Sequence, residues 1–145
     1  MTTKQGGYAG VLGMPKHATS FEPIDPEHDL GPYKAGHEIH NTGSISASLE
    51  DGYVVEPGIQ KVPLKHFYGG ERPKLAGSSD DVRRTKHLAE QIKKSKRLDP
   101  LIVAIDEEGP YVLEGGHRLD ASYLLNGTHI PAMVVRHAGV PLFKK

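Results

Sequence analysis

The stretch Leu101–Arg136 limits what this chain can become more than any other part of it. Leu101-Ile102-Val103-Ala104-Ile105 is a continuous apolar run rich in β-branched residues, the pattern of a buried strand. Glu107-Glu108-Gly109-Pro110 then reads as a turn, and Tyr111–Leu113 as a second strand. Glu114-Gly115-Gly116-His117-Arg118 passes into a helix expected from about His117 to Asn126. Leu119, Tyr123 and Leu124 face inward along it, and Gly127 closes it as a C-cap. Ile130–Arg136 returns as a last strand.

Upstream, a helix is expected to start near Ser79, with Ser79 as N-cap and Asp80 and Asp81 complementing the helix dipole. Val82, Thr85, Leu88, Ala89 and Ile92 recur at helical spacing on one face. Asp99-Pro100 ends the helix, because the residue before a proline is pushed out of the helical region. Residues 1–43 show no sustained period and are broken by Gly6-Gly7, Pro23, Pro26 and Gly31-Pro32, so an irregular arm is expected there. Ile45, Ala47 and Leu49 alternate with serines ahead of Asp51-Gly52 and Tyr53-Val54-Val55, which predicts a β-hairpin. Ile59–Leu64 predicts a short strand and Phe67–Ser79 a loop.

A chain of 145 residues suits one compact domain with an appended arm. Its 37% hydrophobic content, with 17 Gly and 11 Pro, predicts a modest core with much loop around it. The absence of cysteine excludes disulfides, thiolate nucleophiles and cysteine zinc sites. No apolar run is long enough to span a membrane and no signal-peptide core is visible, so a soluble, cytoplasmic protein with no membrane partner is expected. A net charge of zero argues against a general polyanion binder. The charge is unevenly placed: residues 1–60 carry three Lys/Arg against eight Asp/Glu, and residues 61–145 carry fifteen against ten. The basic part has a nucleotide, a nucleic acid, the acidic arm or plain solvent as its counterpart.

The glycine turn carries the chemistry. A helix N-terminus presents free N–H groups and a partial positive charge. Glycines let a phosphate approach the backbone and permit positive φ. Arg118 offers a planar fork for phosphate oxygens, and His117 a group that donates a hydrogen bond or acts as acid or base near neutral pH. An ordinary strand-to-helix connection with solvated polar residues has the same local pattern.

The wider order narrows the choice. Gln91-Ile92-Lys93-Lys94-Ser95, Pro100-Leu101-Ile102-Val103 and Gly115-Gly116-His117-Arg118 follow one another around the predicted helix, strand and turn. Over roughly Val62–Arg136 this resembles the ParB/sulfiredoxin superfamily. Arg118 matches the arginine shared by ParB-like proteins, sulfiredoxins and free-serine kinases of that fold. His117 matches the histidine of the latter two groups, and Gly115 the shared glycine. Gly116 departs from the pattern, standing where sulfiredoxins carry the catalytic cysteine and ParB proteins a glutamate. Sulfiredoxin chemistry is thereby excluded, and the phosphate-binding half of the motif remains.

The resemblance implies an α+β domain, a small mixed sheet packed with helices at residues 61–145, with the arm and hairpin at residues 1–60. It implies an enzyme that binds a nucleoside triphosphate, ATP or CTP, with Mg2+ and hydrolyses it or transfers a phosphoryl group. Gly115, Gly116, His117, Arg118 and Arg72 would hold the nucleotide. His117, Glu114 and Glu71 are the catalytic candidates, and Glu114 is the candidate metal ligand. DNA is a second possible partner, through a DNA-binding or nuclease activity, since the helix stretch Arg83–Arg97 holds seven Lys/Arg and one Glu. No aromatic residues interleave with those cations, and no helix-turn-helix or dimerisation segment follows the last strand, which leads away from a chromosome-partition role. A third reading is a non-catalytic interaction module or small effector, binding a protein through the acidic arm. His37-Glu38-Ile39-His40 has a spacing that can bring two imidazoles to one metal, or is an exposed loop.

Overall fold

A computed structural model describes residues 21–140 apart from Asp51, residues 68–78 and Glu108. The fold is α+β, with a mixed sheet and three α-helices. In chain order the elements are β1 (Glu22–Ile24), β2 (Lys34–Ala35), α1 (Ser44–Glu50), β3 (Tyr53–Val55), β4 (Ile59–Pro63), α2 (Ser79–Ser95), β5 (Arg97–Leu98), β6 (Leu101–Asp106), β7 (Gly109–Glu114), α3 (Gly116–Leu124) and β8 (His129–His137). The main sheet runs β1-β4-β8-β6-β7, and β3 pairs with β8 as well. β6 and β8 are parallel, as the α3 crossover between β7 and β8 allows, while β4 and β3 lie antiparallel to β8.

The apolar run of β6 is continuous because both sides of the sheet are covered. Leu101, Val103 and Ile105 point into a large core with Ala89 and Ile92 of α2 and Leu119 and Ala121 of α3. Ile102 points the other way, into a small core with Val135 of β8 and Ile45 of α1. β8 alternates in the same manner, with Ile130, Ala132 and Val134 on the large side and Met133 and Val135 on the small one. On α2 the buried residues are Thr85, Ala89 and Ile92, the face that the periodicity predicts.

Four expectations need correction. Ile45–Leu49 is helical, not the first arm of a hairpin. The return strand of the expected hairpin does form, as β3, but it pairs with β8 and not with residues 45–49. On β8, β4 takes one stretch of one side (Gln60–Pro63 against His129–Ala132), β3 the rest of that side (Tyr53–Val55 against Val135–His137), and β6 the other side. Alternating apolar residues over a few positions fit a single buried helical contact equally well, and here Ile45 makes it. Secondly, α2 ends at Ser95, before Asp99-Pro100. Lys96 turns left-handed (φ 62°), and the chain leaves as β5, parallel to β2. Thirdly, the left-handed residue that closes α3 is Asn126 (φ 61°), not Gly127. Asn126 N–H bonds Tyr123 O (3.0 Å) and Gly127 N–H bonds Ser122 O (2.8 Å), the paired bonds of a Schellman close.

Lastly, the described part of residues 1–43 is not a loose arm. β1 pairs with β4, β2 with β5, and Phe21, Leu30, Tyr33 and Ala35 are buried in the large core. The boundary expected at residue 60 falls inside β4. Residues 1–20, and with them Gly6-Gly7, lie outside the described residues.

Candidate functional site

The glycine turn sits where β7 hands over to α3. The β6–β7 register shifts between Ile102 and Val103, so β7 is bent just before its last residue, Glu114. Gly115 follows at φ 109°, a conformation that side chains rarely adopt. A Cβ there would lie 2.7 Å from Leu101 Cγ and 3.0 Å from Arg118 Nη2, so glycine is required for space as well. α3 then begins at Gly116 with no side-chain cap. Its first-turn amides have no acceptor inside the helix. Gly116 is exposed, and a Cβ built on it would meet open space.

Arg118 lies beneath this turn. Its side chain is 13% exposed, and its Nε and Nη2 are buried without a hydrogen-bond acceptor. Glu114, four residues earlier at the end of β7, stands 3.6 Å from Nη2, an ion-pair contact too long for a hydrogen bond. Burial lowers the guanidinium's pKa from its ordinary value, and the charges of Glu114 and then Asp99 oppose that shift. An arginine remains cationic under such a shift. The guanidinium is therefore a fixed positive charge packed against Gly115, flanked by two carboxylates.

His117 points elsewhere, toward α2. Its Nε2 is 3.2 Å from Asp81 Oδ1. Asp81 is in the first turn of α2 and His117 in the first turn of α3, so the two helices start within side-chain reach of each other. Between them opens a cleft of about 560 Å3, lined by Asp81 and Thr85 of α2, Pro110–Val112 of β7, Gly116, His117, Leu119 and Asp120 of α3, and Phe67. Two backbone poles, one imidazole and two carboxylates meet there.

The structure thus brings Gly115, Gly116, His117 and Arg118 together on one turn, but aims His117 into the cleft and Arg118 under the backbone. Glu114 is turned toward Arg118 and does not line the cleft. Glu71 and Arg72 lie outside the described residues. Asp81 as a partner for His117 was not visible from the sequence, where its place in the first turn of α2 suggests only a dipole contact. His37 and His40 do not converge: His37 approaches Glu27 (3.8 Å), and His40 hydrogen-bonds Asp99 (3.1 Å).

No helix among the described residues is long and apolar enough to cross a membrane. No protein-family model matches the chain, and no curated protein is significantly similar to it.

Proposed function

We propose that this chain is a nucleotide-binding domain of the ParB/sulfiredoxin type. It takes a nucleoside triphosphate with Mg2+ and hydrolyses it or transfers a phosphoryl group. The observation that carries this reading is the meeting of two helix starts at one cleft, joined by the His117–Asp81 contact, with exposed Gly116 between them. Phosphate oxygens would take the first-turn amides of α3. Arg118 supplies positive charge from beneath the turn, and His117 contacts the transferred group or serves as acid or base.

Charge bookkeeping explains the need for the metal. Each helix start contributes roughly half a positive charge. Asp81 and Asp120 contribute two negative charges to the described lining of the cleft. With Arg118 beneath the turn these charges roughly cancel, so the site itself leaves the charge of a triphosphate uncompensated, and a divalent ion between it and the carboxylates would supply the balance. Asp81 and Asp120, which line the cleft, are the carboxylates this reading assigns to Mg2+ in addition to Glu114.

A thermal-shift screen of ATP, CTP and GTP with and without Mg2+ tests the reading, since a ligand at about 100 times its Kd stabilises by roughly 2.7 kcal/mol. At least one nucleotide should raise Tm in the presence of Mg2+ and fail to do so in its absence. The His117→Ala variant should bind that nucleotide and turn it over more slowly, by about 100-fold or more. No shift with any of the three nucleotides sinks the proposal.

A further inference from the structure

β2 and β5 are two residues long each and pair in parallel, Lys34 with Arg97 and Ala35 with Leu98. A parallel pair sends both chains out at the same end. Gly36 N–H bonds Leu98 O (2.8 Å), which extends the pairing by one step. The next residues therefore emerge side by side: Glu38 and His40 after β2, and Asp99 after β5. His40 Nε2 lies 3.1 Å from Asp99 Oδ2, and one ligand atom each from Glu38, His40 and Asp99 lies within 4.8 Å of the others.

Asp99 is held in place for this. Its Oδ1 occupies the space that a Cβ on residue 36 would need, so only glycine at that position lets the carboxylate lie against the backbone. Asp99 also belongs to the charge field around Arg118, together with Glu114. Glu38 and Asp99 set two carboxylates beside His40. Two carboxylates and an imidazole are donors that a divalent cation can bridge.

We propose that Glu38, His40 and Asp99 bind a divalent first-row transition-metal ion at the common exit of β2 and β5. One imidazole with two carboxylates and no thiolate suits Zn2+ or Mn2+, whereas Ca2+ and Mg2+ favour all-oxygen shells. Three protein donors leave positions for water, as in open zinc sites. Asp99 is partly buried and Glu38 exposed, so the site is reachable from solvent. The inference stands apart from the nucleotide reading: the donors are not those of the α2–α3 cleft, and the test needs no nucleotide.

Calorimetric titration of the full chain with Zn2+, and separately with Mn2+, checks it. Wild type should bind one ion per chain at this site. His40→Gln and Glu38→Gln alter side chains with substantial solvent exposure and should keep the wild-type circular dichroism spectrum. Each should weaken that binding by at least about 10-fold, because loss of a residue that merely orients a ligand already costs that much. Asp99→Asn should do the same if it folds. His87→Gln, on the exposed face of α2, should leave the affinity unchanged, which separates this site from chance binding at a surface histidine. Wild-type affinity in both His40→Gln and Glu38→Gln, or loss of binding in His87→Gln alone, overturns the proposal.

Discussion

His129 stands at the start of β8 beside a groove shared with Glu22, Lys61, Lys65 and His66. Burial, then the positive charge of Lys61, depresses its pKa below the ordinary 6.5, Lys65 adds to this, and Glu22 opposes it. The unfolded chain therefore takes up this proton at higher pH than the folded one. Stability is fully present above pH 6.5 and is lost as pH falls from there through the folded pKa. Tm measured across that window should fall more steeply for wild type than for His129→Gln, and parallel curves would refute the assignment. At the same scale, the sequence made Gly115, Gly116, His117 and Arg118 legible as a set, because residue types on a strand-to-helix turn have chemistry of their own. It did not show where each side chain points. Arg118 turns under Gly115 because Glu114 and Asp99 lie there, and the position of Asp99 depends on β2 and β5, which are too short to carry a periodic signal.

At the scale of elements, the long ones were legible, as were the short apolar strands β3 and β4, and the remaining short ones were not. β6, α2, α3 and β8 have enough residues for an apolar face to repeat. β1, β2 and β5, at two or three residues, exist because neighbours pair with them, and no local pattern announces that. α1 shows that a short alternation is ambiguous: Ile45 makes one buried contact with Ile102 and Val135 as a helical residue, and an alternating strand would bury it as well. The turn out of α2 supplies a test. Lys96 is exposed and left-handed, its N–H bonds Ile92 O, and its carbonyl accepts from Lys34 N–H. A left-handed side-chain residue costs about 1–2 kcal/mol, and glycine returns about 0.5–1 kcal/mol of that as unfolded-state entropy. Lys96→Gly should therefore gain roughly 0.5–1 kcal/mol in urea denaturation, and a loss of stability would show that the turn depends on the lysine side chain.

At the scale of the whole molecule, residues 21–36 are part of the same core as the glycine-turn segment. Tyr33 is 1% exposed, its hydroxyl donates to His129 O (2.8 Å), and burial pushes its pKa up to about 12. Tyr33→Ala should cost about 3–5 kcal/mol, the usual range for deleting a buried aromatic side chain. A cost below 1 kcal/mol in equilibrium unfolding, far under that expectation, would restore the picture of a detachable arm. The acidic character of residues 1–60 remains, but for residues 21–36 it belongs to the domain's own surface, where Glu27 pairs with Arg97 and Glu22 with Lys61.

β8 is the strand on which the sheet depends, with β3 and β4 along one side and β6 along the other. It is also the last of the described strands in chain order. As the polypeptide grows, β1 with β4 and β6 with β7 can form only as separate ribbons, each too small to be stable in water. The core closes only when residues 129–137 join them, so the sheet is completed by pairings between segments distant in sequence, whose loop-closure cost is met before the contacts reward it.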